Sequence, residues 1–305
     1  MEFQIRDKQK KDVFVSIFQV LKNCSSIIHC TFEKEFLHIQ GIDKSHVCLF
    51  DVKLNNTWFD SYNIISEKKN ISFDSNMFHS IISTKSDNQI LIFKMDSENQ
   101  DTLHIDFITN EIKVEKEKEE EEEKEKEEEE KKEEKKDKKE KKEKKEKKEK
   151  KEVKKEKSDK PFKKFFTISL IENDYEELNI PTPEYDVEFS LSSKQVDDIF
   201  TQMNLFGNDI VVHCSEENIN LTTNGVNGEM RVQIPIDDVS SYSIVEGEEI
   251  VLTYSLTYLN KMCITNKLSE EIEFLLSNES PMKILYSLGE ASSIAFYMAP
   301  KVSDD

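Results

Sequence analysis

The residues of this chain that could carry out chemistry are acids, lysines and cysteines, and none of them falls in a catalytic pattern. Acidic pairs such as Asp237 and Asp238 could bind Mg²⁺, but in an acidic protein they are typical of solvated turns. The five cysteines form no C-x-x-C pair, so reduced, mostly buried thiols are expected. The six glycines form no phosphate or oxyanion loop. We therefore expect no catalysis, no metal and no cofactor.

The net charge of the chain is unevenly distributed. The sequence holds 63 acidic and 43 basic residues, which gives a formal net charge of -20. Residues 115–160 contain 22 residues of each sign, so the whole net charge lies on the rest of the chain. A body this acidic repels nucleic acid over most of its surface, and any DNA contact must use a separate basic face.

That basic face is predicted on the first helix, since apolar residues recur at helical spacing between Lys8 and Cys24. The residues expected to face the core are Val13, Ile17, Val20, Leu21 and Cys24, with Phe14 and Phe18 at the edge of the stripe. The residues expected to point the opposite way include Lys8, Lys11 and Lys22. One side of this helix is therefore predicted to be core and the other basic.

The remainder of the first half reads as short strands around a second helix. Short apolar or alternating segments between polar turns are typical of antiparallel strands. We predict strands at 26–32, 36–39, 47–54, 57–63, 89–95 and 102–109. The second helix is expected at 74–85, with Met77, Phe78, Ile81 and Ile82 facing inward. This pattern indicates an α+β fold dominated by antiparallel sheet.

The second half of the chain repeats the pattern of the first. His29-Cys30, followed by an acidic turn and a strand, has a counterpart in His213-Cys214. A helix expected at 255–265 corresponds to the second helix of the first half. The strands predicted after it are 272–277, 282–288 and 294–298. We therefore predict two similar domains, each with two helices.

Two segments read as connections rather than core. Residues 171–185 carry two prolines and several acids, which is typical of an extended linker between a first domain at 1–170 and a second at 186–305. Residues 113–161 form a charged Lys/Glu insertion in the first domain. Such a composition is expected to be disordered or to form a single solvated helix. Because predicted strands flank the insertion, we interpret it as an expanded hairpin turn.

Five short segments outside the insertion carry a resemblance to a known family. They are 41–49 (GIDKSHVCL), 59–62 (FDSY), 178–185 (LNIPTPEY), 258–260 (YLN) and 297–301 (YMAPK). In this order, and with the internal duplication, they resemble the eukaryotic and archaeal sliding clamp, proliferating cell nuclear antigen (PCNA). The resemblance implies the DNA clamp fold, with three subunits joined head to tail as a homotrimeric ring.

A DNA polymerase processivity factor is the function that this resemblance implies. Such a clamp encircles double-stranded DNA independently of sequence, and serves DNA replication and repair. Its expected partners are a clamp loader, a DNA polymerase and other replication proteins that carry a clamp-binding peptide. The expected location is the nucleus, or the replication site of a large DNA virus. No apolar run is long enough to span a membrane and no signal peptide is predicted, so no membrane partner is expected.

The resemblance also implies which residues face DNA. These are Lys8, Lys11, Lys22, His79, Lys85, Lys194, Lys261 and Lys267. Loosely placed lysines suffice for contacts with phosphates, which need no base-reading side chains. Apart from Lys194, the helix of the second half offers Asp198, Thr201 and Leu205 on that side, so the basic lining is thinner than usual. Any single lysine could instead be a solvated helix residue.

The partner peptide of such clamps inserts apolar and aromatic side chains between three segments. The corresponding residues are Ile42, His46, Val47 and Leu49, then Leu178 and Ile180, then Pro281, Tyr297, Met298, Ala299 and Pro300. Val47, Leu49 and Ile180 could alternatively be ordinary core residues. His46 has no neighbouring Cys or His and is not expected to bind a metal.

Two other readings of a clamp-like chain stay open. It could be a subunit of a checkpoint-type clamp, or a monomeric processivity factor that holds DNA by charge without closing a ring. Subunits would pair through edge strands, expected at 165–170 and 226–234, and such main-chain pairing leaves little side-chain signature. A metal-dependent enzyme is the least favoured alternative.

Overall fold

The structure, a computed structural model, describes residues 1–65, 68–96, 100–109, 162–172 and 175–301. These ranges contain four α-helices: α1 (Lys8–Cys24), α2 (Ser75–Ile82), α3 (Ser193–Met203) and α4 (Leu256–Met262). The strands of the first half are β1 (Glu2–Ile5), β2 (Ile27–Glu33), β3 (Phe36–Ile42), β4 (Cys48–Asn55), β5 (Ser61–Asn63), β6 (Lys68–Asp74), β7 (Gln89–Lys94), β8 (Thr102–Thr109) and β9 (Lys164–Ser169). Those of the second half are β10 (Val187–Ser192), β11 (Asp209–Cys214), β12 (Asn218–Gly225), β13 (Gly228–Pro235), β14 (Ser241–Ile244), β15 (Ile250–Ser255), β16 (Glu271–Leu276), β17 (Met282–Gly289) and β18 (Ser292–Met298).

The strands of the described residues form three sheets. A five-stranded sheet has the order β5-β1-β7-β8-β9, and a four-stranded sheet has the order β13-β12-β11-β15. The third sheet has nine strands in the order β14-β10-β16-β17-β18-β4-β3-β2-β6, and it passes from the second half of the chain to the first where β18 pairs antiparallel with β4. The predicted α+β fold with antiparallel sheets is confirmed.

The helices form a row in which α1 packs against α2 and α4, and α4 packs against α3. Local sequence sets where α1 and α2 begin. Asp7 and Asp74 are their N-cap residues, and the side chain of each accepts the backbone N–H three residues later. Aromatic rings fill the space beneath α1 and α2. The Phe3 ring stacks on Phe93 at 4.5 Å between centroids, and Phe18 lies at the same distance from Phe78. No helix in the described part of the chain is long and apolar enough to cross a membrane.

The prediction that Lys11 faces outward is wrong. Its side chain is fully buried, and its Nζ donates to the carbonyl oxygens of Asp87 and Gln89 at 2.6 and 2.5 Å. The segment that leads into β7 presents these two oxygens towards α1, so a long cationic side chain can be buried there with its hydrogen bonds made. Phe14 is likewise buried in the core rather than at the edge of the stripe.

Several details of the first half also differ from the predictions. The strand expected at 57–63 is a 3₁₀ helix at Asn56–Trp58 followed by β5, and the Trp58 indole donates to the Leu288 carbonyl at 3.2 Å. This long-range bond cannot be read from local alternation. Strands β1 and β6 were absent from the sequence-based prediction. Met77, expected to face inward on α2, is 57% exposed.

The hairpin expected around the charged insertion is present. Strands β8 and β9 pair antiparallel with Thr102 opposite Ser169 and Phe107 opposite Lys164. β9 is an edge strand of the five-stranded sheet, and β13 is an edge strand of the four-stranded sheet, as expected of the two subunit-pairing candidates. The prediction that residues 113–161 are disordered or a single helix lies outside the described residues.

Burial of the Lys11 ammonium yields a test of stability. We expect Lys11→Ala to lower the free energy of unfolding by about 2–4 kcal/mol, because it leaves a cavity and takes this donor from the buried Gln89 carbonyl and the part-buried Asp87 carbonyl. The matched control Lys8→Ala removes an exposed lysine of the same helix and should leave the free energy of unfolding nearly unchanged. Urea unfolding of both variants measures the difference, and equal losses would contradict the buried role of Lys11.

Candidate functional site

An apolar groove of about 260 Å³ lies where three distant segments of the chain meet. The segments are the turn between β3 and β4, the linker between β9 and β10, and the residues next to β17 and β18. Eight of the predicted partner-binding residues line this groove: Ile42, His46, Val47, Leu49, Ile180, Pro281, Tyr297 and Ala299. The structure thus brings together residues that are up to about 250 positions apart in sequence.

Three of the predicted residues do not line the groove. Met298 is fully buried because side chains alternate along β18, so that Tyr297 faces the groove and Met298 faces the core. Leu178 is 38% exposed but lies outside the groove, and Pro300 is half-buried beyond its end. The prediction is therefore wrong for Met298, whose side chain no peptide can reach in this structure.

Sequence reasoning also missed part of the groove wall. The additional lining residues are Asn179, Pro181, Pro183, Tyr185 and Ser280. Four of them belong to the linker, and the prolines that identified it as extended chain were the available signal. Burial raises the pKa of Tyr297 to about 12, with smaller contributions from Asp51 and Tyr185, so its hydroxyl keeps its proton and can donate a hydrogen bond.

The turn between β3 and β4 is held by one carboxylate. Asp43 is 6% exposed, and its oxygens accept the backbone N–H groups of Val47 and Cys48 at 2.7 Å and of Ser45 at 2.9 Å. Burial raises the pKa of Asp43, but these bonds and the Tyr258 hydroxyl outweigh it, so the pKa lies below its ordinary value. The charged carboxylate thereby fixes the turn that presents His46 and Val47 to the groove.

The linker is fastened to the nine-stranded sheet just before it reaches the groove. The Gln40 side chain, 3% exposed, accepts the backbone N–H of Leu178 at 2.7 Å and donates to its carbonyl at 3.0 Å. The same Gln40 oxygen accepts the Tyr175 hydroxyl at 2.8 Å, and the Tyr175 ring stacks on His29 at 4.4 Å. These contacts set the position of Ile180, two residues further on.

Charged groups add a second attachment of the linker. His38 lies between two carboxylates, with Nε2 2.5 Å from Asp51 and Nδ1 2.9 Å from Glu177. Glu177 also pairs with Lys68 at 2.9 Å. Burial lowers the pKa of His38, but the bonds and charges of Asp51 and Glu177 outweigh it and leave the pKa above its ordinary value. We refer to Gln40, His38, Glu177 and Lys68, with Asp51, as the linker clasp.

The predicted DNA-facing residues lie on the four helices or within five residues of a helix end, and their side chains differ in burial and in ion pairing. Lys194 and Lys267 are exposed and form no ion pair with the described residues. Lys8 is exposed and forms an ion pair with Asp87. Lys85 also forms an ion pair, with Asp12. Of the two remaining helix lysines, Lys22 contacts His79 and Lys261 lies over the Tyr258 ring.

Two of these predicted positions carry no positive charge that DNA could use. Lys11 is buried, as described above, and its prediction as a DNA-facing residue is wrong. Burial lowers the pKa of His79, and the nearby Lys22 ammonium lowers it further, so the imidazole is neutral near pH 7. Within the described ranges, no cluster of three or more His, Cys, Asp or Glu side chains is arranged to hold a metal ion.

Comparisons with known proteins match part of the chain to one family. A model of the "Proliferating cell nuclear antigen, C-terminal domain" matches residues 179–301. The proliferating cell nuclear antigen of Chaetomium thermophilum is 30% identical over 145 residues, which are 46% of this chain and 56% of the relative. Residues 179–301 of the chain therefore match the C-terminal domain of the PCNA family.

Two other relatives are similar over a comparable length. Proliferating cell nuclear antigen 2 of Drosophila melanogaster is 25% identical over 139 residues, 46% of this chain and 54% of the relative. A probable DNA polymerase sliding clamp of Autographa californica nuclear polyhedrosis virus is 28% identical over 138 residues, 45% of this chain and 54% of the relative. The chain therefore spans about half the length of the curated relatives it matches.

The fold extends further than these sequence matches. The crystal structure of PCNA from Thermococcus kodakaraensis matches with a TM-score of 0.74 at 16% identity, and covers 98% of this chain and 99% of that one. At this identity the match concerns the fold alone. It shows that the fold likeness to PCNA extends over the first half of the chain, outside the residues that the family model matches.

The linker clasp predicts a pH-dependent contribution to stability. Because the pKa of His38 is raised on folding, its contribution is fully present below the unfolded value of about 6.5 and is lost as pH rises through the folded value. We expect the difference in unfolding free energy between the wild type and His38→Asn to be larger at about pH 6 than at about pH 8. Urea titrations at both pH values measure it, and a pH-independent difference would contradict the charged clasp.

Proposed function

We propose that this chain is a DNA polymerase sliding clamp, which encircles duplex DNA and tethers replication proteins through the apolar groove. The observation that carries the proposal is the groove itself, in which eight residues from three distant segments meet as the family resemblance predicts. The PCNA fold, and the match of residues 179–301 to the C-terminal domain of the PCNA family, support it. We further propose that the chain has no catalysis of its own and acts as a scaffold.

The groove suits a short peptide that inserts apolar and aromatic side chains. A volume of about 260 Å³ accommodates a few side chains rather than a folded domain, and the wall is mostly aliphatic, proline and tyrosine. The clasped linker has an extended course beside the groove, so a bound peptide can add main-chain hydrogen bonds to side-chain insertion. We propose that a DNA polymerase and other replication proteins carry such a peptide.

DNA binding is proposed for the helix row, with Lys194 at the start of α3 and Lys267 in the loop after α4. Both side chains are exposed, and contacts of lysine with phosphate are independent of sequence. A homotrimeric ring, with domains at 1–170 and 186–305 and the linker at 171–185, would close by antiparallel pairing of β9 with β13 of the next subunit. Support for this comes from the position of both strands at sheet edges. A clamp loader would then be needed to open the ring.

Two related functions remain as alternatives within this proposal. A checkpoint-type clamp subunit would have the same fold but would share its ring with different chains. A monomeric processivity factor would hold DNA by charge alone. The proposed location is the nucleus or a viral replication site, since the relatives named above include both cellular PCNA and a viral clamp.

Primer extension on closed circular and linear templates tests the proposed function. With a cognate polymerase and clamp loader, the protein should lengthen the product per binding event on the circle, because a topologically closed ring cannot slide off. The benefit should be lost on a linear template with free ends. An equal benefit on both templates would support charge-based retention, and no benefit on either would overturn the clamp function. Light scattering should give three times the chain mass.

Groove variants test the partner site. Ile180→Ala and Tyr297→Ala should each weaken binding of a clamp-binding peptide by about 1–3 kcal/mol, the range for an anchor residue that loses its contact. The matched control Leu205→Ala truncates an apolar side chain that is 71% exposed and lies outside the groove, so affinity should be unchanged. Calorimetry measures affinity and thermal melting confirms folding. Unchanged affinity in both groove variants would place the site elsewhere.

A further inference from the structure

The His38 ring contacts two carboxylates at once, one on the neighbouring strand and one on the linker. Its Nε2 lies 2.5 Å from Asp51 on β4, and its Nδ1 lies 2.9 Å from Glu177. A charged carboxylate only accepts hydrogen bonds, and a neutral imidazole carries one N–H, whereas the imidazolium carries two. Only the charged ring can therefore donate to both carboxylates. The raised pKa of His38 described above agrees with this geometry.

The groups around His38 keep Glu177 charged. The Lys68 ammonium bonds to Glu177 at 2.9 Å and holds the pKa of that carboxyl below its ordinary value. Lys53 is opposite His38 in the strand register, but its Nζ lies over the Phe36 ring. The titratable and charged groups that adjoin His38 on this face of β2, β4 and β6 and in the linker are His29, Glu33, Asp51, Lys53, Lys68, Tyr175 and Glu177.

Loss of the His38 proton leaves one N–H for two carboxylates. The other ring nitrogen then turns a lone pair towards a charged oxygen, and the two repel each other. Asp51 stays in place, because main-chain pairing fixes β4 beside β3. Glu177 belongs to the linker, which side chains attach to the sheet, so Glu177 is the carboxylate that can move away.

A movement of Glu177 affects the groove because the linker forms part of its wall. Glu177 precedes by two to four residues the groove-lining Asn179, Ile180 and Pro181. The bonds between Gln40 and Leu178 do not depend on the charge of His38, so the linker is loosened without being released. A peptide that enters the groove must then order this wall again, which weakens its binding.

We propose that His38 is a positioning residue that links peptide binding in the groove to its own protonation, so that affinity falls as pH rises from about 6 to about 9. The inference rests on the partner site proposed above and adds its regulation. The sign follows from the clasp, since the charged ring holds Glu177 and the neutral ring does not. By thermodynamic reciprocity, peptide binding must also favour proton uptake by His38.

Calorimetry at both pH values tests the proposal on the full chain. The probe is a synthetic clamp-binding peptide without His or Cys and with blocked termini, so that the peptide itself does not titrate. We expect the wild type to bind about two- to fivefold more tightly at about pH 6 than at about pH 9, the range of a partly exposed ion pair. His38→Asn should bind equally at both. His46 lines the groove, and the matched control His46→Gln should keep the tighter binding at low pH.

The possible failures are distinguishable. Equal wild-type affinity at both pH values, or a difference that persists in His38→Asn, would overturn the proposal and leave the partner site standing. No binding at either pH would overturn the partner site and this proposal together.

Proton uptake gives a second readout, which a purely structural role of His38 would not produce. Calorimetry in buffers of different ionisation enthalpy measures the protons exchanged when the peptide binds. We expect His46→Gln to take up a fraction of a proton between about pH 7 and about pH 8, and His38→Asn to take up none. The measurement on His46→Gln retains His38, so it decides the question if His38→Asn does not fold. Proton release, or no exchange, in His46→Gln would contradict the proposal.

Discussion

The antiparallel pairing of β18 with β4 is the interaction on which the candidate site depends. It joins the last strand of the second half of the chain to a strand of the first half, and so makes one continuous nine-stranded sheet. Its register places Leu49 opposite Tyr297 and Cys48 opposite Met298. Because strand side chains alternate, the first pair lies on the groove side and the second in the core. A slip of one residue would exchange these faces and remove the groove.

The linker clasp holds the linker, which forms another wall of the groove, against the nine-stranded sheet. The linker crosses the nine-stranded sheet without belonging to it, so its position depends on side chains. The Gln40 side-chain amide accepts the N–H of Leu178 and donates to its carbonyl. These two bonds resemble the pair of main-chain bonds that a neighbouring strand would form. Since Gln40 is buried, its loss would leave polar groups without partners as well as release the linker. The charged part of the clasp is more exposed and therefore contributes less.

Much of the fold followed from sequence because the decisive patterns are local. The bounds of α1 and the strand at Thr102–Thr109 were both predictable from periodicity. Most of the groove was predictable only through the family resemblance, since its residues are far apart in sequence. The clasp was missed because Gln40 and His38 act on a segment about 140 residues away, and no local pattern records such a contact.

Lys11 shows the limit of a charge-pattern argument. A lysine on a helix is normally read as solvated, yet here two backbone oxygens make full burial possible. Other lysines of the helix row are partly neutralised, since Lys8 and Lys85 each face an aspartate. The positive charge left for DNA is therefore modest. For a proposed ring this is sufficient, because enclosure rather than affinity would retain the DNA, and weak contacts with phosphates allow movement along the duplex. A monomer that holds DNA by charge alone would bind weakly through so few free lysines. This physical argument favours the ring.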